Sequence, residues 1–384
     1  MLKKATLASL LLLTLGFASN AQMPEGAIPA STNINQNNCP CILPDLSVLF
    51  KVKAPNATKV QIDLGKLYDM EKDAEGVWTA TTAPQEPGFH YYSLVLDDVK
   101  VADPASESFY GMGRMASGIE IPEEGVDDFY TLKKVPHGDI RTGNYYSTTT
   151  EGWRNVNVYT PPGYNENTKT KYPVLYIQHG GGEDERGWAV QGKTNIILDN
   201  LIAEGKAIRM IVVIGNGNAT KPGVNARGYT EEGMAAFKEE LFENLMPFIE
   251  SNYRVKTGPE NTALAGLSMG GGQSFFTGLR NTDTFGSVGV FSTGLFGGIR
   301  EAATDFAPET IVPDILQNAS DFNKKLDLFY ISVGEGDPRI TPTKKLIELF
   351  RKNGLEVEFN SFPGGHEWQV WRKSLHDFGQ RVFR

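Results

Sequence analysis

The sequence predicts an α/β domain with a doubly wound, mostly parallel sheet, preceded by a small antiparallel β-sandwich. Residues 56–102 show short runs of alternating polarity broken by turn residues, which are typical of antiparallel strands. After them, apolar runs of strand length alternate with stretches of helical spacing. The acidic, turn-rich stretch 122–128 separates the two patterns, so we place the sandwich at residues 22–124 and the α/β domain at residues 125–384.

The first 21 residues have the pattern of a secretory signal peptide. Lys3 and Lys4 precede an apolar stretch at residues 5–18, and small residues at 19–21 offer a cleavage site. The apolar stretch is too short for a stable membrane anchor, and no later segment is apolar enough to span a bilayer. We therefore expect cleavage near Ala21 and a secreted or periplasmic protein without membrane insertion.

The charge balance argues against two classes of partner. The chain has 37 Lys and Arg against 46 Asp and Glu, a net charge of −9, and removing the two lysines of the signal peptide makes it −11. An acidic chain without a basic cluster is not expected to bind nucleic acid or an anionic membrane surface. Neutral or weakly charged substrates such as plant polysaccharide esters are compatible with this charge. The oligomeric state is left open.

The N-terminal segment carries aromatic and cysteine side chains with two possible interpretations. Trp78, Tyr91 and Tyr92 have rings suited to stacking on sugars. Because alternation turns at least one face of each strand inward, we favour core packing for them. Cys39 and Cys41 are the only cysteines and flank one proline; a disulfide ring that tight would be strained, so we assign them no chemical role.

In the α/β domain, a strand pattern at residues 174–178 ends in the glycine-rich loop 179–182. Glycines allow backbone N–H groups to approach a substrate closely, so Gly180 or Gly181 is predicted to donate to a developing oxyanion. His179 ends the strand, and we interpret it as holding the loop.

A metal site is the alternative interpretation of this loop. His179, Glu183 and Asp184 have the residue types of metal ligands. No second histidine stands at ligand spacing, however. We therefore predict neither a metal nor another cofactor.

Residues 261–274 contain the most informative motif, a strand followed by Gly-Leu-Ser-Met-Gly and the start of a helix. In such a nucleophile elbow the serine sits on a strained turn, so Gly266 and Gly270 must be small. The turn exposes the hydroxyl of Ser268 and directs the N–H of Met269 at an oxyanion. Together with the alternation of strands and helices, the elbow predicts an α/β-hydrolase core with Ser268 as nucleophile.

The base must be a histidine that follows the serine, and only His366 and His376 do. His366 comes after a strand pattern at residues 357–362 and a Pro-Gly-Gly turn, a position from which an imidazole reaches a neighbouring strand. His376 falls in a stretch of helical spacing at residues 371–384. We predict His366 as the base and His376 as a helix surface residue.

The acid should follow the strand between serine and histidine. Residues 326–333 form that strand pattern, and Glu335 and Asp337 lie in its exit loop. We favour Asp337 because its shorter side chain gives a stiffer hydrogen bond to the imidazole, with Glu335 as the alternative. Asp327 lies inside the strand and is expected to be structural.

Several segments of residues 129–384 resemble carbohydrate esterase family one at matched spacing. This family comprises the feruloyl and acetylxylan esterases, also called esterase-D-like hydrolases. The segments are RNVNVYTPPGYN, VLYIQHGGGEDERGW, NLIAEGKAIRMIVVIGNGN, LMPFIESNYRV, ALAGLSMGGGQSF, VGEGD and PGGHEWQVWR. The stretches GVWTATT and PGFHYYSLVLDDVKVADP resemble the immunoglobulin-like, glycogen-binding-type modules that precede some of these esterases.

The resemblance implies a secreted serine esterase that removes ferulate or a related hydroxycinnamate from plant arabinoxylan through an acyl-enzyme. An acetylxylan esterase, and a non-catalytic carbohydrate-binding protein on the same fold, are the alternatives. Trp188 follows a charged run, which favours a position at a cleft rim where its indole would stack on a planar acyl group. Trp368 and Trp371, close to His366, are further aromatic candidates, but for Trp371 on the terminal helix we favour core packing.

Overall fold

The computed structural model describes residues 23–123, 125, 127–224, 229–297 and 306–384. The predicted signal peptide and its cleavage site lie outside these residues. Within them, no helix is both long and apolar enough to cross a membrane.

Two antiparallel sheets make up the N-terminal region, residues 28–121. Their strands are β1 (Ile28–Pro29), β2 (Cys41–Ile42), β3 (Val48–Lys53), β4 (Val60–Leu64), β5 (Lys66–Asp69), β6 (Glu71–Lys72), β7 (Val77–Thr81), β8 (Gly88–Leu96), β9 (Val99–Val101), β10 (Ser108–Gly111) and β11 (Arg114–Ile121). One sheet has the order β1-β2-β3-β7-β6, and the other has the order β10-β11-β8-β4-β5 with β9 beside β8.

The two sheets share one apolar core, to which every second residue of a strand contributes. Phe50 and Trp78 come from the first sheet, and Ile62, Tyr92 and Ile119 come from the second. Trp78 and Tyr92 are therefore core residues, as the alternation predicts.

An eight-stranded sheet forms the centre of the α/β region, residues 139–384. Its strands are β12 (Asp139–Ser147), β13 (Gly152–Thr160), β14 (Val174–Gln178), β15 (Ile211–Ile214), β16 (Thr262–Leu267), β17 (Ser287–Phe291), β18 (Leu328–Gly334) and β19 (Glu358–Phe362), in the order β12-β13-β15-β14-β16-β17-β18-β19. Along the sheet from β15 to β19, every neighbouring pair is parallel. Strand β13 is antiparallel to both of its neighbours, β12 and β15. Strands β14 to β18 are buried at every position because helices cover both faces of the sheet.

The helices are α1 (Thr194–Ala203), α2 (Glu231–Glu240), α3 (Met246–Asn252), α4 (Met269–Arg280), α5 (Ala319–Lys325), α6 (Ile340–Lys352) and α7 (Trp368–Gly379), with a π-helical stretch at Leu241–Leu245 between α2 and α3. Residues of α2, α4, α5 and α6 join the core on one face of the sheet. Residues of α1 and α7 join the core on the other face. This is the doubly wound arrangement that the sequence predicts.

The N-terminal region packs against the α1 and α7 side of the α/β region. Phe89 and Phe109 from its second sheet are buried in the same core as Trp368 and Trp371 of α7. Tyr91, on the same strand as Phe89, is partly buried against that core. The N-terminal region thus lies on the helix that directly follows His366.

Candidate active site

The elbow predicted from the sequence is present between β16 and α4. Ser268 has φ 51° and ψ −112°, a backbone conformation that is rare for a residue with a side chain. A Cβ on Gly266 would lie 2.5 Å from the backbone of Gly270, and a Cβ on Gly270 would lie 2.6 Å from the carbonyl oxygen of Gln178. Both positions therefore require glycine, which is the physical reason for the motif.

The structure brings together the three side chains that the sequence singles out. Ser268 Oγ lies 3.0 Å from His366 Nε2, and His366 Nδ1 lies 2.7 Å from Asp337 Oδ2. Asp337 follows β18 and His366 follows β19, so the neighbouring parallel strands deliver both groups to the same edge of the sheet. The three groups have the connectivity and spacing of a nucleophile, a base and an orienting acid.

Asp337 is held as a carboxylate by its surroundings. Its side chain is buried, which by itself raises the pKa of the carboxyl group. The His366 ring and two donors of Arg339 outweigh burial and bring the pKa of Asp337 below its ordinary value. The backbone N–H and Nη1 of Arg339 both donate to Oδ1, at 3.0 and 2.9 Å, which leaves Oδ2 for the imidazole.

The alternative acid and the alternative base lie elsewhere. Glu335 is exposed and accepts a hydrogen bond from Ser361 Oγ at 3.2 Å. His376 lies on α7 and packs on the ring of Phe129, with a centroid distance of 4.6 Å. Burial lowers the pKa of His376.

The loop after β14 is built around His179, which is fully buried. Its Nδ1 lies 2.7 Å from the carbonyl oxygen of Gly180, and its Nε2 accepts from the N–H of Gly217 at 3.0 Å. These partners require a neutral ring with the proton on Nδ1. Burial also lowers the pKa of His179. The histidine therefore holds the loop, in agreement with the sequence interpretation.

The N–H groups of Gly180 and Gly181 in this loop differ in whether they already have a hydrogen-bond acceptor. The N–H of Gly180 donates to Oε2 of Glu183 at 3.2 Å. The N–H of Gly181 has no acceptor among the described residues, and a Cβ at this position would meet nothing within 4 Å. Because the N–H of Met269 belongs to the first residue of α4, it has no partner within the helix. The geometry thus favours Gly181 with Met269 over Gly180 as the pair of donors.

The prediction that Trp188 lies at the cleft rim is wrong. Its side chain is fully buried, and Nε1 donates to the carbonyl oxygen of Gln178 at 2.9 Å. The ring packs edge-to-face on Trp368 and Phe291, with centroid distances of 5.3 and 6.2 Å. The preceding charged run does reach the surface at Arg186, but the large apolar indole turns inward, where its one polar atom finds an acceptor.

Ser268 lies at a cleft of about 670 Å³ between the N-terminal region and the α/β region. Gly181, His366 and Trp371 line one side of it. Residues of the N-terminal region line the other side, and the sequence reasoning missed them: Asp63, Leu64, Gly65, Gln85, Phe89, His90, Tyr91, Lys100, Met112 and Arg114. No local pattern marks them, because what an outward-facing residue of β8 or β11 contacts depends on how two distant segments dock.

A second cavity, of about 490 Å³, also borders the loop of residues 179–182, the candidate oxyanion loop. Gly181 and Glu183 line both cavities, and Met269, Thr220 and Gln273 line only the second. A substrate whose carbonyl oxygen reached the oxyanion donors would therefore have space in both cavities. Within the described residues, no group of three or more His, Cys, Asp or Glu side chains is arranged to hold a metal ion.

The family model named Esterase, with the description "Putative esterase", matches residues 147–380. The Endo-1,4-beta-xylanase/feruloyl esterase of Xylanibacter ruminicola is 35% identical over 377 residues, which is 95% of this chain and 48% of the relative. The chain thus spans about half the length of that curated relative. The Endo-1,4-beta-xylanase Y of Acetivibrio thermocellus is 31% identical over 188 residues, 46% of this chain and 16% of the relative.

Solved structures show similarity over two different extents. A CE1 ferulic acid esterase from Anaeromyces mucronatus, in complex with ferulic acid, is 28% identical with a TM-score of 0.55, covering 67% of this chain and 95% of that one. The enterobactin esterase of Shigella flexneri has a TM-score of 0.64 and covers 88% of this chain and 92% of that one, at 17% identity. The second similarity extends the shared fold to most of the chain.

Proposed function

Because the chain belongs to the Esterase family, we propose that it is a secreted serine esterase that hydrolyses feruloyl and related hydroxycinnamoyl esters of plant arabinoxylan. The observation that carries the proposal is the hydrogen-bonded series Ser268, His366 and Asp337 at a cleft large enough for an aromatic acyl group. A relative named as a xylanase and feruloyl esterase, at 35% identity, supports the choice of substrate class.

Acylation begins when Ser268 Oγ attacks the ester carbonyl carbon and His366 Nε2 takes the hydroxyl proton. The N–H groups of Gly181 and Met269 stabilise the negative charge on the carbonyl oxygen. Asp337 keeps the other proton of the imidazolium on Nδ1. When the intermediate collapses, the bond to the sugar oxygen breaks and the leaving oxygen takes the proton from His366 Nε2. The acyl group stays on Ser268.

Deacylation repeats these steps with water. His366 removes a proton from a water molecule, whose oxygen attacks the acyl carbon. The same donors again stabilise the oxyanion. Collapse breaks the bond to Ser268 Oγ, which recovers its proton from His366, and the hydroxycinnamate is released. No cofactor enters this sequence.

The dimensions of the cleft favour a hydroxycinnamoyl group over an acetyl group. Its volume of about 670 Å³ falls within the range of roughly 300–1,000 Å³ that is usual for small-molecule sites. Aromatic side chains from both regions, Phe89, Trp368 and Trp371, line it, and Trp371 packs edge-to-face on His366 at 5.0 Å. An acetyl group would leave most of this space empty.

We further propose that residues 22–124 form an immunoglobulin-like β-sandwich that supplies one wall of the cleft. The shared core of the two antiparallel sheets and the ten residues that line the cleft support this assignment. Residues 1–21 would act as a signal peptide, which places the enzyme outside the cytoplasm, where plant polysaccharides are met. Feruloylated arabinoxylan would be its partner.

The test is a side-by-side assay of methyl ferulate, p-nitrophenyl acetate and acetylated xylan, with release of ferulate from arabinoxylan as the polymeric substrate. We expect the highest kcat/KM among the small esters for methyl ferulate. Preference for acetylated xylan would support an acetylxylan esterase instead. A purified protein that no fluorophosphonate probe labels would support a non-catalytic binding protein on this fold.

A further inference from the structure

The hydroxyl of Tyr91 connects the N-terminal region to three side chains around the active site. It accepts hydrogen bonds from Gln191 Nε2 at 2.8 Å and from Trp368 Nε1 at 3.2 Å, and it donates to Oε1 of Glu183 at 3.2 Å. All three partners belong to the α/β region. The next residue, Tyr92, faces the opposite way and bonds to Asp103 within the N-terminal region.

Glu183 carries this connection to the oxyanion loop. Its side chain is only 6% exposed, and its two oxygens face two different donors. Oε1 accepts from Tyr91, and Oε2 accepts from the N–H of Gly180, the residue before Gly181. Burial raises the pKa of Glu183 to about 7, although these donors lower it in part. A buried carboxylate with so few donors depends on each of them to offset its desolvation.

A backbone contact connects the same two regions at the far end of the loop. The turn between β10 and β11 places the N–H of Gly113 2.8 Å from the carbonyl oxygen of Gly182. Gly182 has φ +78°, and a Cβ on it would lie 2.9 Å from the nitrogen of Gly113. The loop is therefore held on both sides of Gly181. The hydrogen-bonded series Tyr91–Glu183–Gly180, which we call the relay, holds it at Gly180, and the turn between β10 and β11 holds it at Gly182.

We propose that Tyr91, acting through Glu183, is a positioning residue that sets the direction of the Gly181 N–H toward the substrate oxyanion. The inference rests on the proposed function of Ser268 and its partners. It assigns to the N-terminal region a part in the chemical step in addition to forming a wall of the cleft. Oxyanion donors stabilise the transition state more than the ground state, so a displaced loop lowers kcat more than it raises KM.

The test compares Tyr91→Phe with Tyr92→Phe in the full-length chain. Both changes remove one buried hydroxyl from β8 and retain the ring, but only the first breaks the relay to Gly180. We expect Tyr91→Phe to lower kcat for methyl ferulate roughly 10- to 100-fold with KM within about twofold. Tyr92→Phe should lower the melting temperature and leave kcat unchanged, because its partner Asp103 lies away from the cleft.

Glu183→Gln provides a second variant of nearly the same shape. Because Tyr91 and Glu183 act in series, the double variant should be no slower than the slower single variant, rather than showing the product of both losses. The relay is overturned if Tyr91→Phe keeps kcat within twofold of the parent, if it changes KM alone, or if Tyr92→Phe loses as much.

Labelling of Ser268 by a fluorophosphonate gives a readout that needs no ester substrate. Attack on the phosphorus also places negative charge on an oxygen at the oxyanion site, so Tyr91→Phe should slow labelling by a similar factor. If the parent labels rapidly and the Tyr91→Phe variant labels equally fast, the relay is contradicted and the proposed function is not. A parent that neither labels nor hydrolyses any ester contradicts the proposed function instead.

Discussion

Arg372 lies fully buried on α7 with its Nη1 2.5 Å from Oε1 of Glu120, on the last strand of the N-terminal region. Its Nε also donates to the carbonyl oxygen of Gln191 at 2.7 Å. The charges of Arg372 and Lys193 outweigh burial and lower the pKa of Glu120. This ion pair joins the two regions within four residues of Trp368, which lines the cleft.

Replacing Arg372 with Met should destabilise the chain strongly. Removing one partner of a buried ion pair costs roughly 3–5 kcal/mol, and Lys193, which stays 3.3 Å from Glu120, compensates the remaining charge only in part. The matched change at an exposed pair, Lys324→Met beside Asp321, should cost less than about 1 kcal/mol. Chemical unfolding of both variants measures the difference, and equal losses would show that the interface pair contributes no more than a surface pair.

Asp337→Asn should reduce kcat by about 10⁴-fold, because an amide no longer fixes the imidazole tautomer. Glu335→Gln, two residues away in the same loop, should stay within about twofold because Glu335 is exposed and bonds to Ser361. Steady-state kinetics on methyl ferulate with the two variants decide between them. A reversed order would transfer the role of the acid to Glu335.

Glu183 should make stability depend on pH. Its pKa in the folded chain is about 7, above its ordinary value of 4.5, so the folded state binds the proton more tightly. Its contribution is complete below pH 4.5 and is lost as the pH rises through 7, by about 3 kcal/mol. The groups facing it are the Tyr91 hydroxyl, the Gly180 N–H, Trp368 and the charge of Asp184.

Urea unfolding at pH 5 and pH 8 tests this for the parent chain and for Glu183→Gln. The parent should lose more unfolding free energy than the variant between the two pH values, because the amide does not titrate. All other titrating groups are the same in the two proteins, so their contribution to the pH dependence cancels when the parent and the variant are compared. A difference between the two proteins that is the same at both pH values would show that Glu183 is already ionised at pH 5.

Met112→Ala should lower kcat/KM for methyl ferulate and leave p-nitrophenyl acetate hydrolysis nearly unchanged. Met112 is 57% exposed at the turn between β10 and β11 and lines the cleft, so its loss should not affect folding. Covering about 40 Å² of its surface with an aromatic acyl group is worth roughly 1 kcal/mol, or about fivefold. Equal losses on both esters would place the acyl group elsewhere.

The sequence predicted those parts of the site that a local motif determines. The elbow at Ser268 requires Gly266 and Gly270 for steric reasons, and chain order after the elbow identified His366 and Asp337, which the structure brings together. The alternation of strand patterns with helical spacing in the α/β region likewise corresponds to observed strands and helices, since one face of each helix is buried in the core.

The remaining parts depended on contacts between distant segments. The charged neighbours of Trp188 favour a position at the rim, but burial of its ring is decided by Trp368, 180 residues later. The sequence favours core packing for both Tyr91 and Tyr92, but only Tyr92 lies in the core of the two antiparallel sheets. Tyr91, the preceding residue on β8, faces the other side, and alternation gives no indication of which surface it meets there. Its bond to Trp368 spans 277 residues, a separation at which periodicity carries no information.

The measurement that tests the account most directly is the kinetics of Ser268→Ala on methyl ferulate. We predict a loss of roughly 10⁴-fold or more in kcat, no fluorophosphonate labelling, and a melting temperature close to that of the parent, because the hydroxyl contributes little packing. In the parent, mass spectrometry during turnover should detect a feruloyl group on the peptide containing Ser268. A variant that retains a tenth of the parent rate would contradict the assignment of Ser268 as the nucleophile.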